Sequence, residues 1–103
     1  MVKEIKNDNL DEARKSSYAV IDFNAVWCNP CRMLAPVLEE LSEELAGEVD
    51  FYSCDVDENG ALAAEFRVSS IPCVVILKDG QAMNAAVGFQ PKDALRKFVL
   101  SSK

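Results

Sequence analysis

The chain has 103 residues, 50% of them hydrophobic, a formal charge of −6 and no histidine. That length suits one hydrophobic core and not two, so a single domain over residues 1–103 is expected. Seventeen acidic against eleven basic residues, with no cluster of lysine or arginine, argue against nucleic acid or an anionic membrane as partner.

Val2 to Ile5 reads as a short strand. The first eight residues lack the apolar centre of a signal peptide, and the longest apolar stretch, Cys73 to Leu77, is far too short to span a bilayer. The protein is therefore expected to be soluble and to stay where it is made. Asn7 or Asn9 is placed to cap a helix over roughly Leu10 to Ser16, with Asp11 and Glu12 in the first turn, where the helix dipole favours acids. Tyr18 to Phe23 is a strand apolar on both faces, as in the middle of a sheet covered on both sides.

From Cys31 the pattern turns helical. Leu34, Val37, Leu38, Leu41 and Leu45 recur at three- and four-residue spacing, and Glu39, Glu40, Glu43 and Glu44 fall largely on other faces, where a solvated surface is expected. Pro36 interrupts this helix and should bend it; Gly47 ends it. Val49 to Val56 reads as a second central strand. Asp57-Glu58-Asn59-Gly60 supplies turn and cap chemistry before a helix over roughly Ala61 to Phe66. After a loop at Ser69-Ser70-Ile71-Pro72 comes the strand Cys73 to Leu77. Asp79-Gly80 is a hairpin signal, so Ala82 to Val87 should return antiparallel. Gln90-Pro91-Lys92-Asp93 opens a last helix with Leu95, Phe98 and Val99 in one stripe. The order of five strands and four helices implies α/β architecture, a mixed sheet sandwiched between helices.

Chemistry concentrates in Trp27-Cys28-Asn29-Pro30-Cys31, where a strand gives way to a helix. Thiols three positions apart lie on one face of a helical turn, within reach of a disulfide. Closing so small a ring contributes only about 2 kcal/mol, which suits a switch better than a staple. Unpaired amides and the positive end of the dipole at the first turn favour a thiolate at Cys28, which makes it the nucleophile. Cys31, one turn deeper and more shielded, would stay a thiol until it attacks the mixed disulfide. Pro30 suits the first turn, where its missing N–H costs nothing. Half of a zinc site is the alternative, but Cys54 and Cys73 stand apart and no histidine is present, so no metal is expected. Two inert core cysteines are the other alternative, opposed by the exposed bend that Asn29 and Pro30 mark.

Asp22-Phe23, Ala25, Trp27-Cys28, Pro30-Cys31, Pro36, Ile71-Pro72 before a strand and Gly88 before the last helix, in this order over essentially the whole chain, resemble the thioredoxin family. The resemblance implies the thioredoxin fold, of about five strands and four helices. It also implies a redox carrier with protein disulfide reductase activity: monomeric, cytoplasmic, without a bound cofactor, and re-reduced by a thioredoxin reductase that draws on NADPH or ferredoxin. Cys28 then resembles the attacking thiol and Cys31 the resolving one. Asp22 resembles the family's buried acid. A lone carboxylate in an apolar strand should titrate high through desolvation and so be able to exchange a proton with Cys31.

Ile71-Pro72 resembles the cis-proline loop that pairs with an extended substrate strand. Trp27, Asn29, Pro30, Gly88 and Phe89 would complete the substrate surface. Three positions depart from the family. Asn29 replaces a usual glycine. Ser53 replaces a common lysine, which should leave the Asp22 carboxyl with desolvation less compensated. Cys73 replaces a usual threonine and is expected to pack, an alternative disulfide or a metal being the other readings; Cys54 is expected in the core. Two rival functions stand beside the reductase: a thioredoxin-like protein of shifted potential with dedicated partners, and a binding module whose thiols are incidental.

Overall fold

The structure is a computed structural model that describes residues Met1–Lys103. Nine elements follow one another: β1 (Val2–Glu4), α1 (Asp11–Lys15), β2 (Tyr18–Asn24), α2 (Asn29–Glu44), β3 (Asp50–Asp55), α3 (Gly60–Glu65), β4 (Cys73–Lys78), β5 (Gln81–Val87) and α4 (Lys92–Leu100). The strands form one sheet in the order β1-β3-β2-β4-β5. β3 runs parallel to both β1 and β2, whereas β4 is antiparallel to β2 and to β5. The sheet is mixed, as the element order implies. No helix is long and apolar enough to cross a membrane.

β2 lies at the centre, and its sequence explains why. Six of its seven residues are buried, so only a strand with neighbours at both edges and helices on both faces can hold it. Ala19, Ile21 and Phe23 face a cluster with Leu10 and Ala13 from the α1 side and Leu62 of α3. Tyr18 and Val20 face the opposite cluster, with Leu34, Leu38 and Leu41 of α2 and Leu95 and Val99 of α4. Each valine, leucine, isoleucine or phenylalanine among them, fully buried, is worth roughly 1.5–3 kcal/mol. Two apolar layers thus clamp one sheet, and the end of β2 that leads into α2 is fixed from both sides.

The hairpin forms where Asp79-Gly80 signals it. Both residues have positive φ, 51° and 83°, the geometry a two-residue turn needs to match strand twist. A Cβ on Gly80 would also lie 2.8 Å from the Arg14 carbonyl oxygen, so glycine is required there twice over. β5 carries a bulge, with Met83 left between the pairs Leu77–Ala82 and Ile76–Asn84.

Capping differs from expectation. Leu10 precedes α1, and Asn9 contributes only through Oδ1, which accepts the Asp11 amide at 2.9 Å. Asn59 precedes α3 but gives it no side-chain cap. Its side chain is fully buried and donates to the carbonyls of Ile5 and Asp55, while its Oδ1 accepts the Asp8 amide. The cap on α3 comes instead from Asp8, 54 positions before Leu62, whose Oδ1 accepts the Leu62 amide at 3.1 Å. The acidic stripe of α2 is solvent-facing and also braces the fold: Glu44 pairs with Lys92 and Arg96, Glu40 with Lys92, and Glu39 accepts the Val2 amide. Exposed pairs of this kind contribute little each; they link α2 to α4 and to β1.

Candidate functional site

α2 begins at Asn29, two residues earlier than its apolar periodicity suggests, because Cys28 is its N-cap. Backbone at Cys28 is extended (φ −93°, ψ 110°), and Cys28 Sγ accepts the Cys31 amide at 3.3 Å. A sulfur stands where Ser, Thr, Asp or Asn ordinarily caps, with a third-position amide aimed at it. Negative charge on that sulfur is favoured by this amide and by the helix dipole. Pro30 occupies the first turn, where it removes a donor that had no partner. Cys28 and Cys31 form a disulfide, with Cα atoms 5.2 Å apart.

In this oxidised state the two cysteines are almost equally covered, 5% and 3% exposed. The expected contrast, Cys31 shielded and Cys28 open, is not seen. Each sulfur covers the other, and Ala25, Val56 and Ile71 pack around both. The intervening Asn29 and Pro30 are exposed, as an active bend requires.

Three further segments surround the pair. The Ile71–Pro72 bond is cis, and the Ile71 carbonyl oxygen lies 3.9 Å from Cys28 Sγ. The Pro72 side chain is fully buried, and its carbonyl accepts the Gly88 amide at 2.8 Å, which ties the start of the Gly88-Phe89 segment to the cis-proline loop. Trp27 is 65% and Phe89 41% exposed. The indole of Trp27 donates through Nε1 to Asp57 Oδ2 at 2.8 Å, which fixes the ring at the rim with its faces open. Asp57 is visible in the sequence only as a turn residue; its part here rests on a contact across 30 positions.

Behind the disulfide lies Asp22, 3% exposed, with Oδ1 lacking any hydrogen-bond partner. A cleft of about 290 Å³ is lined by Asp22, Asn24, Cys31, Arg32, Glu39 and Ser53 among others. Burial pushes the Asp22 carboxyl up from 3.8 to about 6, opposed only by a hydrogen bond from Asn24. Ser53 is the cross-strand neighbour of Asp22, so a hydroxyl stands where a cation would have offset the desolvation. Asn24 donates to Asp22 Oδ2 at 3.0 Å and to Ser53 Oγ at 2.8 Å. It is a site residue that the sequence motifs miss; its one signal is spacing, since side chains two apart in a strand share a face.

The family model of thioredoxin matches residues 1–101. A thioredoxin of Staphylococcus haemolyticus is 46% identical over 98 residues, covering 95% of this chain and 94% of that protein. A thioredoxin of Staphylococcus aureus is 44% identical over the same shares. The solved structure of a mutant thioredoxin from Halobacterium salinarum superposes with a TM-score of 0.87 at 36% identity, covering 96% of this chain and 88% of that one. This chain belongs to the thioredoxin family. Its chemistry is thioredoxin-type dithiol–disulfide exchange, and Cys28–Cys31 is its Cys-x-x-Cys pair.

The other two cysteines of this thioredoxin are free and buried. Phe23 pairs with Cys54 across one edge and with Cys73 across the other. The backbones of Cys54 and Cys73 are thus two strand spacings apart, roughly 10 Å, beyond the about 7 Å between Cα atoms that a disulfide spans. Both sit in the core cluster beneath α1 and α3. Burial raises both thiols, Cys54 to about 12. Cys73 packs.

Proposed function

We propose that this thioredoxin is a single-domain, monomeric reductant of protein disulfides in the cytoplasm, recharged by a thioredoxin reductase. Cys28 as thiolate attacks one sulfur of a substrate disulfide; a mixed disulfide forms and one substrate thiolate leaves. Cys31 then gives its proton to the carboxylate of Asp22 and attacks Cys28 Sγ, releasing the second substrate thiolate. Two electrons pass to the substrate, and Cys28–Cys31 closes. The observation that carries this reading is the capping geometry: the Cys28 sulfur accepts a helix amide while Cys31 shares a cleft with a buried acid.

Substrate binding falls to the surface around Cys28. An extended segment of the partner pairs with the open backbone of Ile71 beside Pro72, while Trp27, Asn29, Pro30, Gly88 and Phe89 form the surrounding contact area. A cytoplasmic setting suits a protein with two unpaired thiols besides the active pair.

Insulin reduction driven by NADPH and a bacterial thioredoxin reductase tests the proposal. Continuous turnover is expected, with no demand for added metal or cofactor on the thioredoxin. Turnover with dithiothreitol but not with the reductase would indicate dedicated partners, and turnover with neither would indicate a binding module.

A further inference from the structure

We infer that Asn24 is a positioning residue for the resolving step, holding Oδ2 of Asp22 so that the exchanged proton is carried on Oδ1, the oxygen left without a partner. This rests on the proposed role of Asp22 as proton acceptor for Cys31. The amide Nδ2 of Asn24 has two hydrogens, and three oxygens lie within reach: the Asp22 carbonyl at 3.1 Å, Asp22 Oδ2 at 3.0 Å and Ser53 Oγ at 2.8 Å. Asp22 and Ser53 are cross-strand neighbours. Asn24 therefore ties the carboxyl to its own strand and to β3 at once, and the carboxyl cannot turn without breaking that tie.

With Oδ2 held by a donor, a proton on Oδ2 would face the amide hydrogen; on Oδ1 it meets no such conflict. The amide also favours the ionised carboxylate without supplying charge. In a protein with serine at position 53, Asn24 is the only hydrogen-bond donor to this carboxyl. The charged and titratable groups facing Asp22 come from four elements. Glu4 of β1 and Cys31, Arg32 and Glu39 of α2 line the same cleft. Cys54 of β3 and Cys73 of β4 feel its charge.

Asn24→Leu keeps nearly the same bulk and removes the donor. Two quantities are read in it: the Asp22 titration by carboxyl carbon NMR, and the pH profile of mixed-disulfide discharge in single turnovers. Both midpoints are expected to rise together by roughly half a pH unit or more. Discharge should slow by up to about threefold on the acid limb, below about pH 6, and recover above pH 8. Asn24→Ala carries the same expectation if leucine is not accommodated at this half-buried position. A uniform loss of rate with an unmoved midpoint would mark a merely structural residue and overturn the inference. Asp22→Asn separates the two claims: a surviving acid limb there overturns the proton role of Asp22, whereas a limb lost there but unmoved in Asn24→Leu overturns the role of Asn24 alone.

Discussion

Cys31→Ser is expected to turn a catalyst into a trap. The variant keeps the Cys28 sulfur at the helix tip, and serine at position 31 still supplies the amide that Cys28 Sγ accepts. Attack on a substrate disulfide should therefore proceed at a rate close to that of the intact protein. Nothing can then displace the substrate, because a serine hydroxyl neither ionises near neutral pH nor forms a disulfide. One equivalent of mixed disulfide should accumulate and insulin turnover should fall to that of dithiothreitol alone. Cys28→Ser should fall to the same background without forming any adduct. Mass spectrometry of non-reduced protein after mixing with substrate separates the two variants. An adduct in Cys28→Ser, or its absence in Cys31→Ser, would reverse the assigned order of attack.

Replacing the buried acid should make the protein more stable and a poorer reductant. Asp22 titrates at about 6 in the fold against an ordinary 3.8. Because its folded value is the higher one, the folded state holds the proton more tightly, and stability falls as pH rises through this window. The gap corresponds to roughly 3 kcal/mol lost by neutral pH, at about 1.4 kcal/mol per pH unit. Asp22→Asn is neutral at every pH and can still accept from Asn24. Its oxidised form should match the native protein near pH 3, gain on it between about pH 4 and 6, and lead by roughly 3 kcal/mol at pH 7. In a domain of this size that is on the order of 10–20 °C in Tm. Denaturant melts across the pH range check it, and two curves that stay parallel would show that the carboxyl is not desolvated. The same variant should slow discharge of the mixed disulfide, since Cys31 loses its proton acceptor.

The nine elements can be read in order because each carries a local signal. Tyr18–Phe23 is apolar on both faces and forms the central strand; Asp79-Gly80 supplies two positive-φ residues in a row and forms the hairpin. The boundary of α2 is less legible, since its capping atom is a sulfur and not an oxygen. Contacts between distant positions leave no local trace. Asp8 capping α3, Asn59 joining Ile5 to Asp55, and Asp57 holding Trp27 each depend on pairings fixed only when the sheet assembles.

The site divides in the same way. Cys28, Pro30 and Cys31 announce themselves through spacing, and Asp22 through being the one charge inside an apolar strand. Ser53 can be anticipated as a missing cation, whereas its bond to Asn24 cannot, since it requires β2 and β3 to be in register. The near-equal burial of the two cysteines follows from the closed disulfide, a state of the site that sequence does not specify.

The mechanism depends most on the first sulfur being ionised and reachable once the pair is reduced. Alkylation of the reduced protein with iodoacetamide across pH 4–10, with the modified residue located by peptide mapping, tests that directly. Cys28 should react first, with a midpoint below the about 8.5 of an unperturbed cysteine, while Cys31, Cys54 and Cys73 lag. A Cys28 that stays unreactive through neutral pH, or reacts no sooner than the buried thiols, would contradict the mechanism.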